Sequence, residues 1–155
     1  MQPNIEIKIL DSRLHEWGLP RYQTPLAAAI DLFACLEAPL QVEAQAPAVL
    51  VPSGIALHMD SDALCSVILP RSGLGHKKGL VLGNSVGLID ADYTAQCFIS
   101  VWNRNPPGSE VITIAPGERI AQMMFLPVVR PQFTVVQEFS ATSERGGGGF
   151  GSTGR

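Results

Sequence analysis

Two aspartates separated by one small residue, Asp90-Ala91-Asp92, stand just before Tyr93 and between apolar runs in GNSVGLIDADYTAQ (83–96). On strand geometry positions i and i+2 share a face, so both carboxylates would look the same way. An aspartate at the edge of an apolar pocket can orient a water and accept its proton in a transition state, an effect of ~10²–10⁴-fold in rate. A solvated hairpin tip, where aspartates are common, accounts for the same residues. A second constellation is PRSGLGHKKG (70–79), which sets Arg71 and Ser72 at the entrance of a short helical turn, where free N–H groups and the helix dipole favour an anion. An ordinary turn capped by Ser72 is the alternative. In PGERIAQMMF (116–125), Arg119 and Gln122 ride on an apolar strand with an odd-even offset that puts them on opposite faces. That suits an ion-pairing arginine and an edge hydrogen-bond donor. RGGGGFGSTG (145–154) joins an arginine, a permissive backbone, one aromatic and two hydroxyls, groups that could approach phosphates and stack on a base. No GKS or GKT follows the glycines, so it is not a Walker A loop. A flexible linker is the competing reading, against which the lone Phe150 is odd. His15, His58 and His76 have no metal-ligand spacing, and only His76 falls near a candidate site.

Positioning these residues calls for many short strands. Fifteen glycines and twelve prolines punctuate runs rich in Val, Ile, Leu and Phe. Alternation is clearest at Ile5, Ile7 and Ile9 and at Cys97, Ile99 and Val101. Further strands are expected at 48–51, 54–59, 64–69, 110–114, 119–128 and 133–136, separated by turns such as Pro52-Ser53-Gly54 and Pro106-Pro107-Gly108. The pattern predicts an all-β sandwich or barrel. Only the segment between Ser72 and Gly79 invites a helical turn, with serine as start and glycine as stop. Runs such as 67–70 and 120–128 are apolar on both faces, which predicts burial against another subunit.

At 155 residues and 16.6 kDa, 46% hydrophobic with a mean hydropathy of +0.19, the chain suits one domain. Residues 1–139 are expected to form it, and residues 140–155 a glycine-rich tail with little to anchor it to a core. No run reaches the ~18 apolar residues of a membrane span, and MQPNIEIKIL lacks the features of an export signal, so a cytoplasmic protein is expected. Eleven basic against fourteen acidic residues, a net charge of −3, argue against a nucleic-acid coat. An anionic ligand would need its charge met locally, by a few arginines and a divalent cation. Cys35, Cys65 and Cys97 leave one unpaired in any disulfide scheme and read as small buried residues.

Taken together, AAAIDLFA (27–34), PRSGLGHKKG, GLIDADYTAQ (87–96), PGERIAQMMF and RGGGGFGSTG resemble the five ordered motifs of the trimeric dUTP diphosphatase family, nearest its bacterial members. Each motif alone is weak, whereas five in order and spacing are specific. The resemblance implies a jelly-roll β subunit in a homotrimer, with three sites each assembled from more than one chain and closed by a neighbour's tail. It implies hydrolysis of dUTP to dUMP and pyrophosphate, which keeps uracil out of DNA and supplies dUMP for dTMP synthesis. Asp90 resembles the residue that deprotonates the water attacking the α-phosphorus. Asp31 resembles the aspartate that holds Mg2+ through water. Arg71, Ser72 and Gly73 match the phosphate-contacting motif, with Gln122 toward the α-phosphate and Arg145, Ser152 and Thr153 toward the terminal phosphate. Asn84, Leu88 and Phe98 belong to the hairpin that reads uracil, Tyr93 resembles the ring under the deoxyribose, and Phe150 the ring stacked on the base.

Two positions depart from the pattern: Ala29 and Ala95 stand where the family usually has glycine. At a positive φ each alanine would cost on the order of 1 kcal/mol. Two other functions stay in view. A dCTP deaminase shares the fold and trimeric plan, and is disfavoured by the full lid with GLIDADY. A catalytically silent nucleotide-binding barrel is the second, since fold alone does not establish activity.

Overall fold

The computed structural model describes residues 3–141 and Gly146. The expectations for Arg145, Phe150, Ser152 and Thr153 lie outside the described residues. In chain order the strands are β1 (Ile5–Ile9), β2 (Ile30–Phe33), β3 (Leu40–Val42), β4 (Val49–Met59), β5 (Leu64–Pro70), β6 (Leu80–Leu82), β7 (Gly87–Ile89), β8 (Gln96–Asn103), β9 (Ile112–Ile114) and β10 (Arg119–Pro127). One four-stranded sheet runs β1-β4-β8-β6 and a second β2-β10-β5-β7, with β3 and β9 as a separate pair. All named pairings are antiparallel. The fold is all-β, as the turn-punctuated sequence predicts.

The core draws on both large sheets: Leu32, Ile68, Ile120 and Met123 from one, Ile55, Leu57, Ile99 and Val101 from the other. Alternation is the cause in β8, where Cys97, Ile99 and Val101 are fully buried and Phe98 looks outward. Pro52-Ser53-Gly54 is not the turn its composition suggests. It lies inside the single strand β4, where the β4–β8 register shifts between Pro52 and Ala56. Gly54 adopts φ 72°, and the buried Ser53 hydroxyl donates to the Cys97 carbonyl at 2.6 Å. A β-bulge uses the same residues as a turn because both need an atypical φ and a local side-chain hydrogen bond.

Three further expectations are corrected. A second helical turn, α1 (Leu14–Trp17), exists besides the one foreseen. Residues 133–136 form no strand; their side chains are exposed and no strand among the described residues pairs with them. In the helical turn Leu74–Lys78 the N-cap is Gly73, with no side-chain cap hydrogen bond, so Ser72 is not the cap. The stop is as expected: Gly79 is left-handed at φ 79°, and a Cβ there would meet the Asn105 side chain, whose Nδ2 donates to the Lys78 carbonyl at 2.8 Å.

Candidate active site

One cavity, of about 630 Å³, opens where β2, β10 and the end of β5 meet. Asp31 on β2 pairs in register with Gln122 on β10, and Gln122 pairs with Leu69 on β5. These pairings bring Asp31, Gln122 and the end of β5 that leads into Arg71 to one side of the sheet. Arg71 Nε lies 3.1 Å from Asp31 Oδ1 and Arg119 Nη1 3.0 Å from Oδ2. Arg71 Nη1 also donates to the Arg119 carbonyl at 2.8 Å, and Gln122 Nε2 to the Pro70 carbonyl at 2.9 Å. The ion-pairing arginine and the hydrogen-bonding glutamine read from the sequence are therefore both present.

Their predicted placement on opposite faces is wrong. The β10–β2 register slips by one residue between Arg119 and Ala121, so Ile120 and Ala121 are buried in succession and the alternation restarts. Arg119 and Gln122 then line the same cavity. Ser72 and Gly73 line it too, and a Cβ on Gly73 would meet nothing within 4 Å, so the backbone there is open to a ligand.

A different cavity, of about 710 Å³, holds Asp90 and Asp92 with His58, Asp62, Thr94 and Arg130. The two aspartates share it as expected, though in a turn rather than a strand: Tyr93 N donates to the Asp90 carbonyl at 3.1 Å. The Tyr93 hydroxyl donates to the Gln96 carbonyl at 2.9 Å, which fixes the ring. Leu88, Tyr93 and Phe98 are 62%, 40% and 42% exposed, and Asn84 stands in an exposed turn. Among the described residues, positive φ outside glycine occurs only at Gln45 and Ser85, so Ala29 and Ala95 carry no such strain.

Within one chain the two halves stay apart. Ile89 pairs with Ser66, which sets Asp90 beside position 65, while Arg71 follows Pro70 at the other end of β5. Steps from position 65 to 71 at ~3.4 Å each separate them by roughly 20 Å. A water hydrogen-bonded to Asp90 cannot reach an anion seated against Arg71 of the same chain.

Sequence reasoning missed Gln23, Thr24, Lys77 and Lys78 in the first cavity and His58 and Arg130 in the second. The lysines stood in a segment already singled out. His58, not His76, is the histidine lining one of the two cavities, because β4 runs on past the Asp90 turn; its Nδ1 meets Glu6 Oε2 at 2.9 Å. Burial pushes the Cys35 thiol up to about 12 and Cys97 to about 11, away from the thiolate form, and no cysteine lines either of these two cavities. For magnesium the test is the donor set. Among the described residues Asp31 is the one carboxylate lining the first cavity, and no group of three or more His, Cys, Asp or Glu could hold a metal. Such a set fits an ion that arrives on a polyphosphate and keeps its waters, and does not fit one caged by protein alone.

The dUTPase family model matches residues 15–154. The deoxyuridine 5'-triphosphate nucleotidohydrolase of Tolumonas auensis is 57% identical over 152 residues, 97% of each chain. That of Aeromonas hydrophila is 55% identical over 156 residues, covering 100% of this chain and 99% of its own. Among solved structures, the dUTPase of Staphylococcus bacteriophage 80alpha, described with dUpNHpp, superposes with a TM-score of 0.81 at 24% identity, covering 98% of this chain and 99% of its own. A dUTPase of phage phi11 of S. aureus, described with a structural Mg(II) ion, has a TM-score of 0.75 at 20% identity over 89% of this chain and 99% of its own. The phage structures bear on the fold, and the family match and the bacterial relatives decide the rest: this chain belongs to the dUTPase family.

Proposed function

We propose that this dUTPase hydrolyses dUTP to dUMP and pyrophosphate at sites shared between chains of a homotrimer, by in-line attack of an Asp90-activated water on the α-phosphorus. The observation that carries the reading is the separation of Asp90 from the Arg71 cradle by the length of β5. Each half is well formed and neither is sufficient, so a second chain must bring the missing one. The apolar surface agrees: Val129, Phe133, Val135 and Phe139 are 86–99% exposed on a lone chain, far beyond what a soluble monomer leaves uncovered.

In this account the Asp90 carboxylate accepts a proton as the water oxygen bonds to the α-phosphorus and the bond to the bridging oxygen breaks, so that pyrophosphate leaves. Arg71, Ser72 and the open backbone at Gly73 hold the phosphates, with Gln122 toward the α-phosphate. Asn84, Leu88 and Phe98 hold uracil. Tyr93 lies under the deoxyribose, where a 2′-hydroxyl would collide, and the hairpin leaves no room for a thymine methyl. Residues 140–155 act as a lid that places Arg145, Ser152 and Thr153 on the terminal phosphate and Phe150 on the base, excluding bulk water. Bound magnesium would lower the charge repulsion along the triphosphate, with Asp31 holding it through water. The site serves to remove dUTP before uracil enters DNA and to furnish dUMP for dTMP synthesis. Pyrophosphate release should be measured from dUTP, dTTP, dCTP and UTP, with and without magnesium. Release confined to dUTP is expected, and comparable release from UTP would refute the sugar reading.

A further inference from the structure

Asp31 sits under two guanidiniums at once, those of Arg71 and Arg119, at 3.1 and 3.0 Å. Its side chain is only 12% exposed, whereas the two arginines are 33% and 42% exposed. The carboxylate is the fixed inner member, and the cations are the outer groups an anion would reach first. Among the described residues no other carboxylate lines this cavity, while Lys77 and Lys78 add further positive charge. An incoming polyphosphate therefore meets two arginines that already share one like-charged competitor, and carboxylate and phosphate a few ångströms apart repel.

We propose that Asp31 is an exchangeable counter-ion: it holds Arg71 and Arg119 in place while the cradle is empty, and yields them to phosphate oxygens when a divalent cation entering with the polyphosphate takes over its charge. This rests on the dUTPase reading and deepens it. A bare polyphosphate must break two ion pairs and leave a nearly buried carboxylate facing it, an uncompensated charge that opposes binding. A metal-complexed one gives Asp31 a new partner as it takes the old ones. The exchange makes the cradle selective for the complexed form by penalising the bare anion.

The test is calorimetric binding of inorganic tripolyphosphate to the full chain, in EDTA and in magnesium, for the wild type, Asp31→Asn, Asp31→Ser and Arg119→Gln. The wild type should bind about tenfold more tightly with magnesium. Both Asp31 variants should gain about tenfold in EDTA, because the arginines are released, and should keep less than about a twofold response to magnesium. Arg119→Gln should lose affinity under both conditions. A wild type indifferent to magnesium, or Asp31 variants weaker than wild type in EDTA, would overturn the proposal. So would unfolding of both variants, which would make the ion pairs structural. Turnover of dUTP by the wild type is followed alongside. Its absence would sink the enzymatic reading, whereas turnover with the opposite binding pattern would sink only the exchange.

Discussion

Ser66 is fully buried on β5, and among the described residues its hydroxyl is the one buried side-chain polar atom without a hydrogen-bond partner. Removing an unsatisfied buried hydroxyl relieves a desolvation cost of about 1–3 kcal/mol. Ser66→Ala should accordingly raise the melting temperature or leave it unchanged, and a marked fall would mean that the hydroxyl has a partner in the assembled protein. Asp90 is the opposite kind of residue, exposed at a cavity and, in the proposed mechanism, serving chemistry rather than stability. Asp90→Asn should reduce turnover at least ~100-fold while dUTP binding and melting temperature are largely kept. Turnover near the wild-type level would remove Asp90 from the mechanism. At this scale the sequence is most legible where chemistry restricts the choice of residue. Asp31, Arg71, Gln122 and Arg119 converge on one cavity, and Asp90 and Asp92 on another. Gln23 and Thr24 could not be found, since polar residues in a loop carry no periodicity that marks what they face.

Elements were legible where a strand is long enough to alternate and illegible where its course depends on a partner. β8 shows its buried face in the residue string, but three-residue strands such as β6 and β7 are too short to alternate visibly. The bulge that brings Arg119 beside Gln122 is a mismatch between two strands, so neither strand's own sequence records it. The turn that starts β10 is tied to α1: Gly117 has φ 77°, and a Cβ there would come within 2.8 Å of the Trp17 ring. Arg13 also stacks on that ring, 5.0 Å from its centroid, and binds Asp11, which helps to hold the ring in place. Gly117→Ala should cost about 2–3 kcal/mol through backbone strain and overpacking, and should weaken substrate capture by loosening Arg119. A melting temperature unchanged from wild type would contradict this. Deleting residues 141–155 should leave a folded oligomer with little activity. If the truncated chain fails to fold, the tail is structural and the lid account is wrong.

For the whole molecule, the two-sided apolar runs 67–70 and 120–128 are buried or half-buried within the chain except at Pro127, and the exposed valines and phenylalanines fall instead in the segment after β10. The same segment explains why 133–136 reads as a strand yet pairs with no strand among the described residues: its composition suits burial, and its side chains are exposed on the lone chain. Under the proposed mechanism association serves the chemistry as well as solubility, because Asp90 lies beside one end of β5 and Arg71 follows the other. The direct test is complementation between two inactive chains. Asp90→Asn and Arg71→Gln chains, each inactive alone, are co-refolded in equal amounts. With sites shared between symmetry-related chains and random assembly, about one quarter of them receive an intact Asp90 from one chain and an intact Arg71 from another. Recovery of dUTP hydrolysis to about that fraction of the wild-type rate is the predicted result. A mixture as inactive as its components would mean that each site is built within a single chain, and would contradict the account.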